Sequence, residues 1–258
     1  MVPRVFEQVD AEAVDCFRTN GWVMTRTLDT AGAERLRGWV DEIMGWADED
    51  GPWIHYREMT DDGPRLCRTE NFVPYHEGIR DLLTSGPMLD AASALLGEPA
   101  VLYKEKINYK APGGAGFAPH QDAPAYRFVE THVSCMVAVD DADAANGCLE
   151  VVSARHAEIL PMDDDGCIRA EVVSAMTWEV VPVPAGTTLW FHSRTPHRSG
   201  TNTSDRPRRA LYPTYNALRE GDLRDAYYEQ KFAEFNETAS DGTRVQVSLI
   251  NDFQGRPV

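Results

Sequence analysis

The chain reads as mainly β with flanking helices: a jelly roll or β-sandwich preceded by a helical N-terminal part. Three observations carry this. Before residue 100 the apolar residues recur at helical spacing, and from residue 100 onward they come as short alternating or continuous runs. Those runs are divided by turn signals, among them Pro112-Gly-Gly-Ala-Gly116 and Asn146-Gly147. Helices followed by many short strands argue for a sheet-on-sheet core with helices covering one side. Residues 1–258 are therefore expected to form a single domain. Within it, 1–99 is a mostly helical part with a lid loop, 100–216 the jelly-roll core and 217–258 a C-terminal extension.

Taken in order, residues 10–20 open on acidic residues, carry Val14 and Phe17 three apart and stop at Asn20-Gly21, which predicts a short helix. Trp22 to Arg26 reads as a strand. Between Thr30 and Asp48 a longer amphipathic helix is expected from Leu36, Val40, Ile43 and Met44, with Trp39 and Trp46 as packing residues. Residues 48–68 are polar and broken by Gly51-Pro52 and Asp62-Gly63-Pro64, so they are expected to be the loop. A helix over 87–96 ends at Gly97, with Pro99 beyond.

The strands begin with 100–110. There Val101, Tyr103, Ile107 and Tyr109 are expected on one face, and Lys104, Lys106, Asn108 and Lys110 on the other. Residues 133–139 are almost wholly apolar, as a strand buried on both faces would be. Segments 148–152, 178–183, 186–191 and 210–215 complete the set. A helix is expected over 225–232, in a charged tail whose role the sequence does not disclose.

Composition removes several classes of function. The net charge is -16, which disfavours nucleic acid and anionic membrane surfaces, although small anions remain acceptable where cations gather in a cleft. No apolar run approaches the roughly 20 residues of a membrane-spanning helix, and the first residues carry no apolar signal segment. Cys16, Cys67, Cys135, Cys148 and Cys167 are odd in number and never form CxxC, which suits free thiols in a reducing cytoplasm.

The chemistry gathers at two stretches. In Pro119-His120-Gln121-Asp122 an imidazole and a carboxylate stand two residues apart, the spacing that puts both on one face of an extended strand. A second imidazole comes from His192 or His197. His197 is preferred because Ser199 and Arg208 follow it, a hydroxyl donor and a planar guanidinium fork suited to a carboxylate. On the strand that follows, Arg208 shares a face with Ala210 and Tyr212, while Arg209 points the other way. Two histidines and a carboxylate with open positions beside them form the facial triad of non-haem Fe(II) oxygenases.

The segments His120-Gln-Asp122, Asn146-Gly-Cys-Leu149 and 197–208 together resemble the phytanoyl-CoA dioxygenase family of Fe(II)/2-oxoglutarate oxygenases, in the family's order and spacing. The likeness runs from about Lys104 to Tyr215, and more loosely back to Val14. It implies a double-stranded β-helix (cupin-like) core, with His120, Asp122 and His197 as iron ligands. It also implies Arg208 on the distal carboxylate of 2-oxoglutarate, helped by Ser199, with Arg68 and Gln121 near that cosubstrate. The implied reaction consumes 2-oxoglutarate and O2, releases succinate and CO2, and hydroxylates an unactivated C–H bond. Because Asp122 is present, halogenation is disfavoured.

The substrate is expected to be a small, polar, anionic metabolite. Lys104, Lys106 and Asn108 either point into the cleft to receive that anion or snorkel at a strand edge. The run from Lys104 to Pro124 is similar to family members that hydroxylate small phosphonates. The alternatives are a non-catalytic metal- or ligand-binding barrel, a cupin-like isomerase, and a desaturation or cyclisation outcome of the same oxidation. The sequence is silent on the oligomeric state.

Overall fold

The computed structural model describes residues 3–47, 51–60, 63–126, 128–236 and 256–257. Its elements run β1 (Val5–Phe6), α1 (Ala11–Asn20), β2 (Trp22–Arg26), α2 (Thr30–Met44), β3 (Ile54–Thr60), β4 (Gly63–Glu70), α3 (Glu77–Thr84) and α4 (Gly86–Leu96). They continue with β5 (Ala100–Lys110), β6 (Phe117–His120), β7 (His132–Ala138), β8 (Leu149–Val151), the single turn α5 (Ala170–Val173) and β9 (Glu179–Val180). The last are β10 (Thr187–His192), β11 (His197–Ser199), β12 (Arg208–Ala217), α6 (Arg224–Asn236) and β13 (Arg256–Pro257).

Two sheets face each other. The larger has the order β1-β2-β10-β7-β12-β5-β4-β3-β13 and the smaller β6-β11-β8-β9. Along β7, Val133, Cys135 and Val137 pack outward into the helices, against Leu36, Ile79 and Met88, while Met136 and Ala138 pack inward between the sheets. The period of two thus separates a helix-covered face from an inner face. This is the double-stranded β-helix that the motifs imply.

The helices begin and end where the sequence indicates. Asp10 caps α1 by accepting the Ala13 N–H at 2.9 Å, and Gly21 ends it at φ 83°, a left-handed conformation that glycine adopts without a Cβ clash. Asp29 caps α2 in the same way. Leu36, Val40 and Ile43 are buried along it, but Met44 is 40% exposed because the helix stops there rather than at residue 48. Trp39 and Trp46 pack against the core and against His76.

Two expectations are corrected. The stretch 48–68 is not a loop: β3 and β4 form an antiparallel hairpin that extends the large sheet, with Gly63 at φ 108° and Pro64 at the first turn-side positions. Residues 48–50 and 61–62 of the expected lid lie outside the described residues. On β5, a register shift opposite Thr214 and Tyr215 turns Tyr103 away from the face of Ile107 and Tyr109. Leu102 takes the place in the helix-side core, and Tyr103 packs with Tyr126 and Val129.

The helix expected over 225–232 is α6, and its place is now visible. Arg224 donates to both Glu105 carboxylate oxygens, at 3.0 and 2.6 Å, and to Asn71. Burial pushes the Glu105 carboxyl up against the pull of Arg224. The Tyr228 hydroxyl donates to the Glu105 carbonyl at 2.9 Å. These buried contacts lay α6 against β4 and β5, at the open end of the space between the sheets.

Candidate metal centre and cosubstrate pocket

His120 ends β6 and His197 begins β11, and the two are direct cross-strand partners. The His120 Nδ1 donates to the Ala118 carbonyl at 2.7 Å, and the His197 Nδ1 donates to the Thr195 carbonyl at 3.0 Å. A carbonyl can only accept, so each ring keeps its Nε2 lone pair free for a metal. Asp122 does not lie on the strand. It starts a short 3-10 turn at φ -71°, ψ -31°, and this turn, not strand alternation, swings its carboxylate back beside His120.

The Asp122 Oδ1 stands 3.8 Å from the Nε2 of both histidines. That is too long for a hydrogen bond, so the three groups ring a gap without closing it. One donor atom from each lies within 4.8 Å of the others. The second Asp122 oxygen accepts from the Ser134 hydroxyl at 2.9 Å. Burial, then the neighbouring His197, pushes the His120 imidazole down to about 3, and burial pushes His197 down too, so both rings are neutral. Against the upward push of burial, His197, Lys106 and His120 hold the Asp122 carboxyl well below the usual range. Neutral imidazoles and an ionised carboxylate are the forms a divalent metal requires. His192 lies outside this group; its Nδ1 accepts the Arg194 N–H and its ring packs near His156 and Phe17.

Arg208 and Arg209 separate as the strand parity requires. Arg209 is ion-paired with Asp140 at 2.8 Å and with Asp41. Arg208 is 1% exposed, its Nε has no hydrogen-bond partner among the described residues, and its NH1 approaches the Met136 sulfur at 3.9 Å. A buried guanidinium without a carboxylate is costly unless an anionic ligand completes it.

Ser199 lies beside it, and so does Lys110, a residue that sequence reasoning left without a role. Lys110 is the cross-strand partner of Arg208 and donates to the Ser199 hydroxyl at 2.9 Å and to the Gly200 carbonyl at 2.6 Å. Burial, then Arg208, pushes its ammonium down to about 7. Gly147 makes the close packing possible: at φ 72° a side chain there would meet the Gly200 carbonyl and the Lys110 ammonium.

The remaining expected residues divide. Lys104, Lys106 and Asn108 do face inward, on the side of β5 opposite Ile107 and Tyr109. Arg68 pairs with Asn108 across β4–β5 and donates to its Oδ1 at 3.0 Å. Gln121 is engaged by backbone groups. Its amide donates to the Glu158 and Arg194 carbonyls and its oxygen accepts the Leu160 N–H at 2.8 Å, so it ties two loops together rather than reaching a ligand. Sequence reasoning also passed over Glu70, Tyr227 and Lys231, which meet in the same space. Glu70 had a signal, two residues from Arg68 on one strand face; Tyr227 and Lys231 come from α6 and had none.

A family model described as phytanoyl-CoA dioxygenase (PhyH) matches residues 17–210. The chain belongs to this family. It is a 2-oxoglutarate-dependent non-haem iron oxygenase, using Fe(II), 2-oxoglutarate and O2. It is 46% identical to the methylphosphonate hydroxylase of Gimesia maris over 249 residues, 95% of each chain. It is 40% identical to the 2-aminoethylphosphonate dioxygenase of an uncultured bacterium over 225 residues, 85% of this chain and 86% of that one. EctD from S. alaskensis, solved with 2-oxoglutarate and 5-hydroxyectoine, matches with a TM-score of 0.72 at 18% identity, over 82% of this chain and 77% of that one; this likeness concerns the fold. Among the described residues no helix is long and apolar enough to cross a membrane.

Proposed function

We propose that the protein hydroxylates a C–H bond of a small phosphonate, with His120, Asp122 and His197 as the iron ligands. The observation that carries the substrate class is the inward pair Lys104 and Lys106. In a chain of net charge -16, these two ammoniums lie in the pocket beside the triad; Asp122 and Glu70 act on both from a distance, but among the described residues neither forms a direct ion pair with a carboxylate. Lys104 stands 4.4 Å from the Tyr126 ring centroid and Lys106 5.4 Å from that of Tyr212. Burial, then a neighbouring cation, pushes them down to about 7 and about 8, which an arriving dianion reverses. The similarity to two phosphonate oxygenases supports the same class.

The chain's residues divide the work. Arg208 holds the distal carboxylate of 2-oxoglutarate through a bidentate fork, while Lys110 fixes the Ser199 hydroxyl beside it. Lys104 and Lys106, with Asn108 and Arg68 behind them, hold the phosphonate and set its carbon beside the triad. Bound iron supplies the activation of O2 that removes hydrogen from an unactivated C–H bond, with succinate and CO2 as coproducts. Met136, Leu189 and Phe191 give the inner end of the space an apolar wall that limits water. The cysteines form no disulfide among the described residues, which fits a reducing compartment, and we assign the enzyme to the cytoplasm.

The test is aerobic incubation with Fe(II), 2-oxoglutarate and a panel of small anions led by methylphosphonate. Expected are succinate release dependent on the phosphonate and a product heavier by one oxygen, seen by mass and phosphorus NMR. Release that phosphonates do not stimulate, but another anion does, overturns the substrate class.

A further inference from the structure

Besides Asp122, and apart from Glu105, which Arg224 holds, the space between the sheets and α6 contains the buried carboxylate of Glu70, and the chain's own cations have taken it. Glu70 stands opposite Lys106 across β4–β5. Its Oε2 accepts from the Lys231 ammonium and its Oε1 from Arg68 NH1 at 3.4 Å. Its side chain is 4% exposed. Against the push of burial, Lys231, then Arg68 and Lys104, hold its carboxyl down at about 2, so the pair is charged and neutralised before any substrate enters.

The aromatic faces are taken too. The Lys104 ammonium lies 4.4 Å from the Tyr126 ring centroid and 5.5 Å from that of Tyr227, and Lys231 lies 5.5 Å from the same Tyr227 ring. A protein receives an ammonium group with a carboxylate or with aromatic faces. Both devices are present here, and both are occupied by lysines.

We infer that this pocket selects phosphonates whose organic group carries no positive charge, and that Lys231 enforces the choice by occupying the carboxylate a substrate ammonium would need. The inference rests on the phosphonate reading above. An alkyl or hydroxyalkyl group entering the pocket meets tyrosine edges and apolar wall. An aminoalkyl group instead brings a fifth cation to Arg68, Lys104, Lys106 and Lys231, with no free anion to pair it, and an unpaired like charge of this kind is a repulsive specificity element.

The test titrates the Fe(II)-loaded full chain with 2-oxoglutarate, anaerobically in a calorimeter, with methylphosphonate and with 2-aminoethylphosphonate. Succinate kinetics for both follow in air. The wild type is expected to prefer methylphosphonate by at least about tenfold in Kd. Lys231→Met releases the Oε2 of Glu70, with Oε1 still on Arg68, and is expected to shrink that preference about tenfold or reverse it. The double variant Glu70→Gln/Lys231→Met removes the freed carboxylate together with its lysine partner and is expected to restore the preference, while Arg68 keeps its hydrogen bond to Asn108. Equal wild-type affinity for the two phosphonates, or a Lys231→Met preference equal to the wild type's, overturns the inference and leaves the phosphonate reading intact. Binding of neither phosphonate overturns both.

Discussion

His120 and His197 face each other across the β6–β11 pair with ring centroids 4.1 Å apart, and each is held by the carbonyl two residues before it in the chain. The backbone thereby fixes both tautomers and both ring planes before a metal binds. Such preorganisation means that metal binding spends little on ordering its ligands.

Replacing His120, Asp122 or His197 by Ala should therefore lower Fe(II) affinity by at least about a hundredfold and abolish succinate formation. Ser134→Ala, which removes the hydrogen bond to the second Asp122 oxygen, should cost about tenfold, within the range seen for groups that orient metal ligands. His192→Ala should bind iron as the wild type does. Anaerobic iron titration separates these cases, and iron loss in His192→Ala with retention in His197→Ala would exchange the two assignments.

Arg208→Ala should raise the 2-oxoglutarate concentration needed for half-maximal turnover by about ten- to a hundredfold, the worth of a charge-assisted hydrogen bond of ~1.5–3 kcal/mol. Arg208→Lys should recover only part of this, since an ammonium lacks the planar fork. Lys110→Met should act on the same quantity through Ser199 and by a smaller factor. Succinate release measured against 2-oxoglutarate concentration, at saturating substrate, reads all three. An unchanged requirement in Arg208→Ala would move the cosubstrate carboxylate elsewhere.

The parts of the site that lie on regular strands were legible in the sequence. Arg208 and Arg209 take opposite faces because β12 alternates, and Lys104, Lys106 and Asn108 share the inner face because β5 does. Alternation failed where the backbone departs from it. The shift at Tyr103 moves that residue to the pocket side, and the turn at Asp122 does by local geometry what two-residue spacing was expected to do. The β3–β4 hairpin was hidden by its polarity: Glu58 and Arg65 pair with each other across it, so the polar residues answer cross-strand neighbours rather than solvent. Tyr227 and Lys231 were invisible for another reason. They reach the pocket through a helix whose docking depends on Glu105 and Arg224, two residues that sequence periodicity cannot pair.

That docking yields its own expectation. Arg224→Ala leaves Glu105 buried without its ion-pair partner, which should destabilise the protein by about 3–5 kcal/mol. It should also loosen α6 and so weaken phosphonate binding more than 2-oxoglutarate binding, because Tyr227 and Lys231 of the helix lie against Lys104 and Glu70. Denaturant unfolding and ligand titration of the same variant check the two effects. A fully stable variant would mean that the tyrosines of α6 and the Lys231–Glu70 pair suffice to hold it.

Lys104 should leave a signature in the pH dependence of stability. Burial, then Lys106, holds its ammonium at about 7 in the folded protein, against an ordinary value of 10.5. Between those values the unfolded chain carries a proton that the folded chain has released, so this residue's contribution to stability increases with pH across the window. Below about 7 both states are charged and the folded state bears the whole cost of the buried cation. Above 10.5 both are neutral and the cost vanishes. Lys104→Met, which keeps the length and removes the charge, should thus raise the melting temperature of the ligand-free protein most near pH 6. The gain should shrink steadily toward pH 10. Melting curves of wild type and variant over that range test it, and a gain that does not change with pH would place Lys104 in water rather than in the pocket.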